Sequence, residues 1–285
     1  MRLKRQIFQV FWLNLIRLAI FIAILFLLAF LIMIFVPGSK VLSLSFLLES
    51  PREGMTEGGI FPAILGTLYL VILTIIFAFP LGVFSAIYLA EYAPKGYLVN
   101  LVRTAINTLA GIPSIVFGLF GLAVFVNLFG FGVSLLSGAL TLGILVLPII
   151  INASEEAIHT VPDSFRQAAY ALGATKRQVI TKVVLPTALP NILTGAIISV
   201  GRAAGETAPI LFTAATFYTR KLPTSIMDEV MALPYHIYAL MTEGTAPQRQ
   251  VPIAYGTAVV LLALVLFVNL IAIIIRYRMR MKKKW

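Results

Sequence analysis

The chain has 285 residues, 60% of them hydrophobic and 12% charged, with a formal net charge of +11 and no cysteine. Soluble domains carry about 25% charged residues, so this composition, with a mean hydropathy of +1.00, excludes an ordinary soluble domain and points to an integral membrane protein. The missing cysteines exclude disulfide frameworks, thiolate catalysis and cysteine metal sites.

Six apolar segments are long enough to cross a hydrocarbon layer of about 30 Å. They are Leu18–Val36, Ile64–Ala90, Ile106–Leu128, Val133–Ile151, Leu189–Phe217 and Ala254–Ile275. They predict an all-α, polytopic protein with six transmembrane helices in a single domain over 1–285, without internal repeats. The first segment follows Arg2, Lys4, Arg5 and Arg17. It is longer than a signal-peptide core and lacks a small-x-small cleavage site, so it reads as a retained span. Trp12, Tyr88, Tyr92, Tyr97, Tyr218 and Tyr277 fall near segment ends, as interfacial aromatics do.

With the N-terminus inside, 16 of the 22 lysines and arginines fall on one side, in 1–17, 91–105, 152–188 and 276–285. Five fall on the other side, in 37–63 and 218–253, and Arg202 lies within a span. The positive-inside rule then predicts two cytoplasmic termini in a plasma (inner) membrane. The basic tail Arg276–Lys284 suits anionic lipid, so the charge is an orientation signal and no nucleic-acid partner is expected. The outside loops carry Glu49, Glu53, Glu57, Asp228, Glu229 and Glu243. The loop 218–253 contains Leu233-Pro-Tyr-His-Ile-Tyr and is expected to be partly folded.

In the second span, Pro80-Leu-Gly82 predicts a bend. Glu91 and Lys95 flank a cytoplasmic turn and are expected to be solvated. Gly111-Ile-Pro-Ser114 reads as a helix entry, or as exposed amides for an anion, with Ser114 in the pathway.

The cytoplasmic loop 152–188 is the long polar island. Val161-Pro-Asp-Ser164 supplies helix-start residues. Gly173 is placed to end that helix in the left-handed conformation. Thr175 can cap a second helix, which is expected to stop at Pro186. Phe165, Ala169 and Leu172 share one face of the first helix. Such a unit either docks a soluble partner or lies on the headgroups as an amphipathic connector.

The fifth span contains Gly-Arg202-Ala-Ala-Gly-Glu206-Thr207-Ala-Pro209. Arg202 and Glu206 stand at i and i+4, expected on one helix face. Arg202 lies 13 residues past Leu189, about 20 Å along a helix. A charge at that depth faces protein or an aqueous path. The pair either locks packing or meets an anion, for which a guanidinium fork is suited. Gly201-x-x-x-Gly205 predicts a close helix approach. His159 and His236 sit on opposite sides of the membrane, so no metal site is expected. No cofactor or hydrolase arrangement is expected either, and no Gly-Lys pair of a Walker A loop occurs.

Ala168-Ala169, Gly173 and Leu185-Pro186 match in register the loop signature of ABC importer permeases. Gln167 stands where that family has Glu, and Val183 where it has Ile. The resemblance implies a type I ABC importer permease fold. It also implies a coupling helix through which Gln167, Ala168, Ala169, Leu172, Gly173 and Ala174 meet a separate ATPase. Arg202–Ala214, Ile87–Pro94, Leu109–Gly118 and Ala254–Ala258 resemble phosphate importer permeases of the PstA type, over about residues 64–280. That resemblance implies phosphate as cargo, with Arg202, Glu206 and Thr207 along its path. It implies a sister permease (PstC-type), an ATPase dimer (PstB-type) and an extracytoplasmic phosphate-binding protein (PstS-type) as partners. The chain would then be a transport subunit and not an enzyme. A permease for another oxyanion or solute, an ion-gradient-driven carrier, or a membrane sensor or assembly factor without transport remain alternatives.

Overall fold

The computed structural model describes residues 2–94, 96–219 and 221–281. Lys95 and Lys282–Lys284, two parts of the sequence reading, lie outside them. The helices are α1 (Arg2–Ser39), α2 (Leu44–Leu48), α3 (Phe61–Ile87), α4 (Tyr97–Ala110), α5 (Ser114–Gly121) and α6 (Leu135–His159). There follow α7 (Asp163–Ala171), α8 (Lys176–Val179), α9 (Leu185–Gly205), α10 (Ala208–Leu211), α11 (Leu233–Thr242) and α12 (Pro247–Met281). A two-stranded hairpin, β1 (Pro51–Arg52) and β2 (Glu57–Gly58), pairs Pro51 with Gly58 and Arg52 with Glu57. Five helices are long and apolar enough to cross a membrane, or six if the bent pair α4–α5 is one span.

The core is built around α6. Two thirds of its apolar stretch is buried, against none for α1. Small residues let the neighbouring helices approach it. A Cβ at Gly82 of α3 would lie 2.6 Å from Ile150, and one at Gly195 of α9 would lie 2.6 Å from the Ala153 Cβ. Gly82 therefore serves packing between α3 and α6. α1 packs on α12, where Gly38 lies close against Tyr255 and Val259.

The third apolar segment is not one helix. α4 and the continuation of α5 meet at 101°. Pro113 disfavours a helical conformation for the residue before it, so α4 stops at Ala110 and α5 starts after Pro113. α4 is amphipathic, with Asn100, Thr104 and Thr108 interleaved among Leu101, Val102 and Leu109. Hydropathy merged its apolar end with α5.

The fifth span also differs from expectation. It runs as a 30-residue helix, Lys176–Gly205, and passes through Pro186 instead of stopping there. The turn before this proline, Ile180–Val184, is π-helical, with Leu185 N–H donating to the Ile180 carbonyl. That wider turn accommodates a residue that cannot donate. The helix ends at Gly205, short of the expected Phe217, because the Pro209 ring would clash with the carbonyl four residues earlier. Other ends moved as well: α6 reaches His159, and α12 begins at Pro247 inside the expected loop 218–253.

At the end remote from α7, the loop after α10 is folded, as its apolar content suggested. Leu135 and Leu136 N–H donate to the carbonyls of Asp228 and Ile226, each at 2.8 Å. Asp228 Oδ2 accepts from Thr224 N–H and Ser225 N–H, which holds its carboxyl below the usual range. Gln250 of α12 ties the hairpin turn down, donating to Gly54 O at 2.9 Å. His236 of α11 is buried, with neither ring nitrogen hydrogen-bonded among the described residues. Burial lowers its pKa to about 4.

Candidate functional site

Two features are candidates for function, and the helix Lys176–Gly205 joins them. The first is the corner formed by α7 and α8. α7 starts after Pro162 and buries none of its residues. Gly173 ends it with φ +79°, a conformation that costs an L-residue about 1–2 kcal/mol. Thr175 and Gln178 then form a reciprocal capping box at the start of α8. The corner is the one read from the sequence.

Its inner side is anchored. Val161, Val179 and Ile180 are buried, and Val161 and Val179 join Ala86, Leu89, Ile151, Ile158 and Ile192 in one apolar cluster. Ala169 packs against this cluster, whereas Leu172 is 89% exposed. The expected common face of Phe165, Ala169 and Leu172 therefore splits, because Leu172 leaves the helical conformation at the C-cap (φ −84°, ψ 8°). Gln167, Ala168, Leu172 and Gly173 face outward, and Ala174 is half-buried.

The sequence reading missed the residue that holds this unit. Arg166 donates to Glu91 Oε1 at 2.9 and 3.2 Å, to Val161 O at 2.6 Å and to Ile158 O at 3.1 Å. Its side chain is 15% exposed and that of Glu91 11%. Glu91 is thus paired and sheltered, not solvated as expected. The pair spans 75 positions, so no local spacing announces it. Its one signal is an arginine beside the docking residues, with an acid closing the second span.

The second feature lies where α9 breaks. Arg202 occupies the last turn of α9, where a cation meets the negative end of the helix dipole. Glu206 has left the helix (φ −75°, ψ 130°) and caps it, so the expected shared helix face is not formed. The pair still closes, with Arg202 Nε donating to Glu206 Oε1 at 3.3 Å. The Arg202 side chain is 35% exposed and that of Glu206 17%. Among the described residues only Nε of the guanidinium is engaged, which leaves its terminal nitrogens as donors. Thr207 precedes α10 without a side-chain capping bond, and α10 packs on α5, where a Cβ at Gly118 would lie 2.9 Å from Ala208 O. Ser114 opens α5. No hydrogen bond joins Ser114 or Thr207 to Arg202 among the described residues. Gly201 faces Asn269 and Val265 of α12 without tight contact, and Gly205 has open space around it. The close approach on α9 is made by Gly195, not by the expected glycine pair.

A membrane helix that breaks beside a partly exposed cation thus continues from a surface corner. The family described as "Binding-protein-dependent transport system inner membrane component" matches residues 78–281. The chain belongs to this family. Members are transport components of the inner membrane, not enzymes, and work with a substrate-binding protein and an ATPase. The probable ABC transporter permease protein YqgI of Bacillus subtilis is 35% identical over 84% of this chain and 85% of its own length. The phosphate transport system permease protein PstA 1 of Mycobacterium tuberculosis is 37% identical over 77% of this chain and 70% of its own length. The probable phosphate transport system permease protein PstA of Methanocaldococcus jannaschii is 36% identical over 74% of each chain. Among solved structures, a chain of a bacterial alginate ABC transporter aligns with a TM-score of 0.65 over 94% of this chain and 96% of its own. A chain of the inward-facing MetNI methionine ABC transporter aligns with a TM-score of 0.60 over 76% and 94%. Both are 21% identical and share the fold, that of type I ABC importer permeases.

Proposed function

We propose that this chain is the PstA-type permease subunit of an ATP-driven phosphate importer. One observation carries the reading. Arg202, a cation at a membrane-helix break, lies in a chain 35–37% identical to proteins named as phosphate transport permeases over three quarters of its length. A guanidinium matches a tetrahedral oxyanion in shape and charge. Glu206 holds Arg202 by one nitrogen and releases it as phosphate arrives. Thr207 and Ser114, at the starts of α10 and α5, supply hydroxyls along the path.

The domain 1–285 works as one permease body with both termini in the cytoplasm. Loop 152–188 docks on the ATPase through Gln167, Ala168, Ala169, Leu172, Gly173 and Ala174. The loops 37–63 and 218–253 receive a PstS-type binding protein. A PstC-type sister completes the path, and a PstB-type ATPase dimer drives it. The drive is needed: moving one negative charge inward against 100 mV costs about 2.3 kcal/mol. Alternating access, not an open pore, meets that demand.

The test is labelled-phosphate uptake into vesicles holding the chain with its ATPase, sister permease and binding protein, with sulfate, molybdate and arsenate as competitors. Arg202→Gln is expected to abolish uptake while the complex still assembles. Normal uptake in that variant would make Arg202 structural. Stronger competition by sulfate or molybdate than by phosphate would assign the path to another oxyanion.

A further inference from the structure

The end of α3 is a junction that the transport reading does not use. Its last turn, Tyr88–Tyr92, is π-helical, and single π turns inside α-helices often mark functional positions. Three cations from three later elements converge on it. Arg103 of α4 donates to the Leu89 carbonyl at 3.0 Å and pairs with Glu155 of α6 at 2.6 Å. Arg166 of α7 pairs with Glu91 at 2.9 Å. Lys176, the first residue of α8, lies 4.7 Å from the centroid of the Tyr92 ring. Each element of the docking corner therefore grips this one turn.

Arg166 is the strongest of the three links. It also donates to the Ile158 and Val161 carbonyls at the end of α6, so it joins α7 to both α3 and α6. Its contact with Asp163 is a weak one, because Asp163 is 85% exposed. The pair with Glu91 is sheltered on both sides, so losing either partner strands the other as a buried charge.

We propose that Arg166 and Glu91 are positioning residues that make the docking helix and the end of α3 move as one body. This rests on the reading of α7 as the ATPase-docking helix. Displacement of α7 then travels by two routes. One is α8 and α9, to Arg202. The other is α3 and, through Arg103, α4, whose far end turns into α5 at Ser114. The two sides of the path move together instead of α9 alone.

The reconstituted complex in vesicles tests this, with phosphate uptake and ATP hydrolysis measured on the same sample. Arg166→Gln and Glu91→Gln are expected to assemble and to hydrolyse ATP, while phosphate moved per ATP falls by at least about fivefold, the low end of ordinary inter-site coupling. A merely structural pair would change the yield of complex but not that ratio. Should Arg166→Gln fail to assemble, Glu91→Gln, which keeps the shape and an acceptor, carries the test. The chain has no cysteine, so Glu91→Cys with Arg166→Cys can be joined by a short bis-methanethiosulfonate cross-linker, each thiolate displacing one methanesulfinate. The joined complex is expected to recover the ratio, since the link stays closed through the cycle. An unchanged ratio in the assembled glutamine variants, or a joined complex that cannot transport, overturns the proposal. Leu172→Asp separates the two readings: loss of the ATPase on purification supports docking through α7, and its full retention overturns the docking reading together with this proposal.

Discussion

The Arg202 guanidinium and the His236 imidazole show how differently burial treats two cationic residues. Arg202 is ion-paired with Glu206, its side chain 35% exposed. His236 has no hydrogen-bond partner among the described residues, and burial keeps it neutral, with a pKa of about 4 against 6.5 in the unfolded chain. Below pH 6.5 the unfolded state gains a proton that the folded state refuses, so stability falls as pH drops from 6.5 towards 4. At 1.36 kcal/mol per unit the loss reaches about 3 kcal/mol. His236→Phe removes this dependence and leaves no polar atom unpaired. Melting temperatures of the two proteins in detergent are expected to agree near pH 8 and to separate at pH 5, with the variant higher. Equal melting at pH 5 would mean that the imidazole finds a partner on protonation. At this scale the sequence exposed residues whose type is anomalous for their setting: an arginine in an apolar run, a glycine at a corner. Arg166 and Glu91 are ordinary at their positions, and only folding across 75 residues makes them a pair.

Hydrophobic runs located the spans, and Pro186 was expected to end a helix. It does not, whereas α4 stops ahead of Pro113 and α9 ahead of Pro209. Pro80, Pro148 and Pro190 also lie inside α3, α6 and α9. Before Pro186 a π turn moves the hydrogen-bond register by one. A π turn leaves no mark in hydropathy, which is why this helix was expected to be two. Glycines separate in the same way. Gly82 has Ile150 within 2.6 Å of where a Cβ would stand, while Gly143 has only Ala78, at 3.9 Å. Gly82→Ala is expected to cost about 1–3 kcal/mol through overpacking, and Gly143→Ala to stay within about 0.5 kcal/mol. Unfolding in detergent compares them, and Ile150→Ala should recover part of the Gly82→Ala loss. Equal effects at the two glycines would remove the close α3–α6 contact from the account of this core.

At the scale of the whole molecule, the six apolar runs become five long helices and, at Pro113, one bent pair. The charge count predicts which way the bundle faces, and the absence of cysteine makes that testable. Single cysteines at Leu172 and Glu57, both exposed, mark its two ends. A membrane-impermeant thiol reagent added to intact cells is expected to label Glu57→Cys, and to label Leu172→Cys only after permeabilisation. The reverse pattern would invert the orientation. The contact of Gly195 with Ala153 has a mechanical meaning for this body. From Lys176 to Gly195 the helix extends about 28 Å, and from Gly195 to Arg202 about 10 Å. A stiff rod rocking on that contact is a lever with unequal arms. On the proposed docking, a push at α7 would emerge at the Arg202 guanidinium in the opposite direction, shortened about threefold and strengthened in the same proportion. A coarse, weak stroke would become a short, forceful one, the motion that the proposed release of an anion from Arg202 requires.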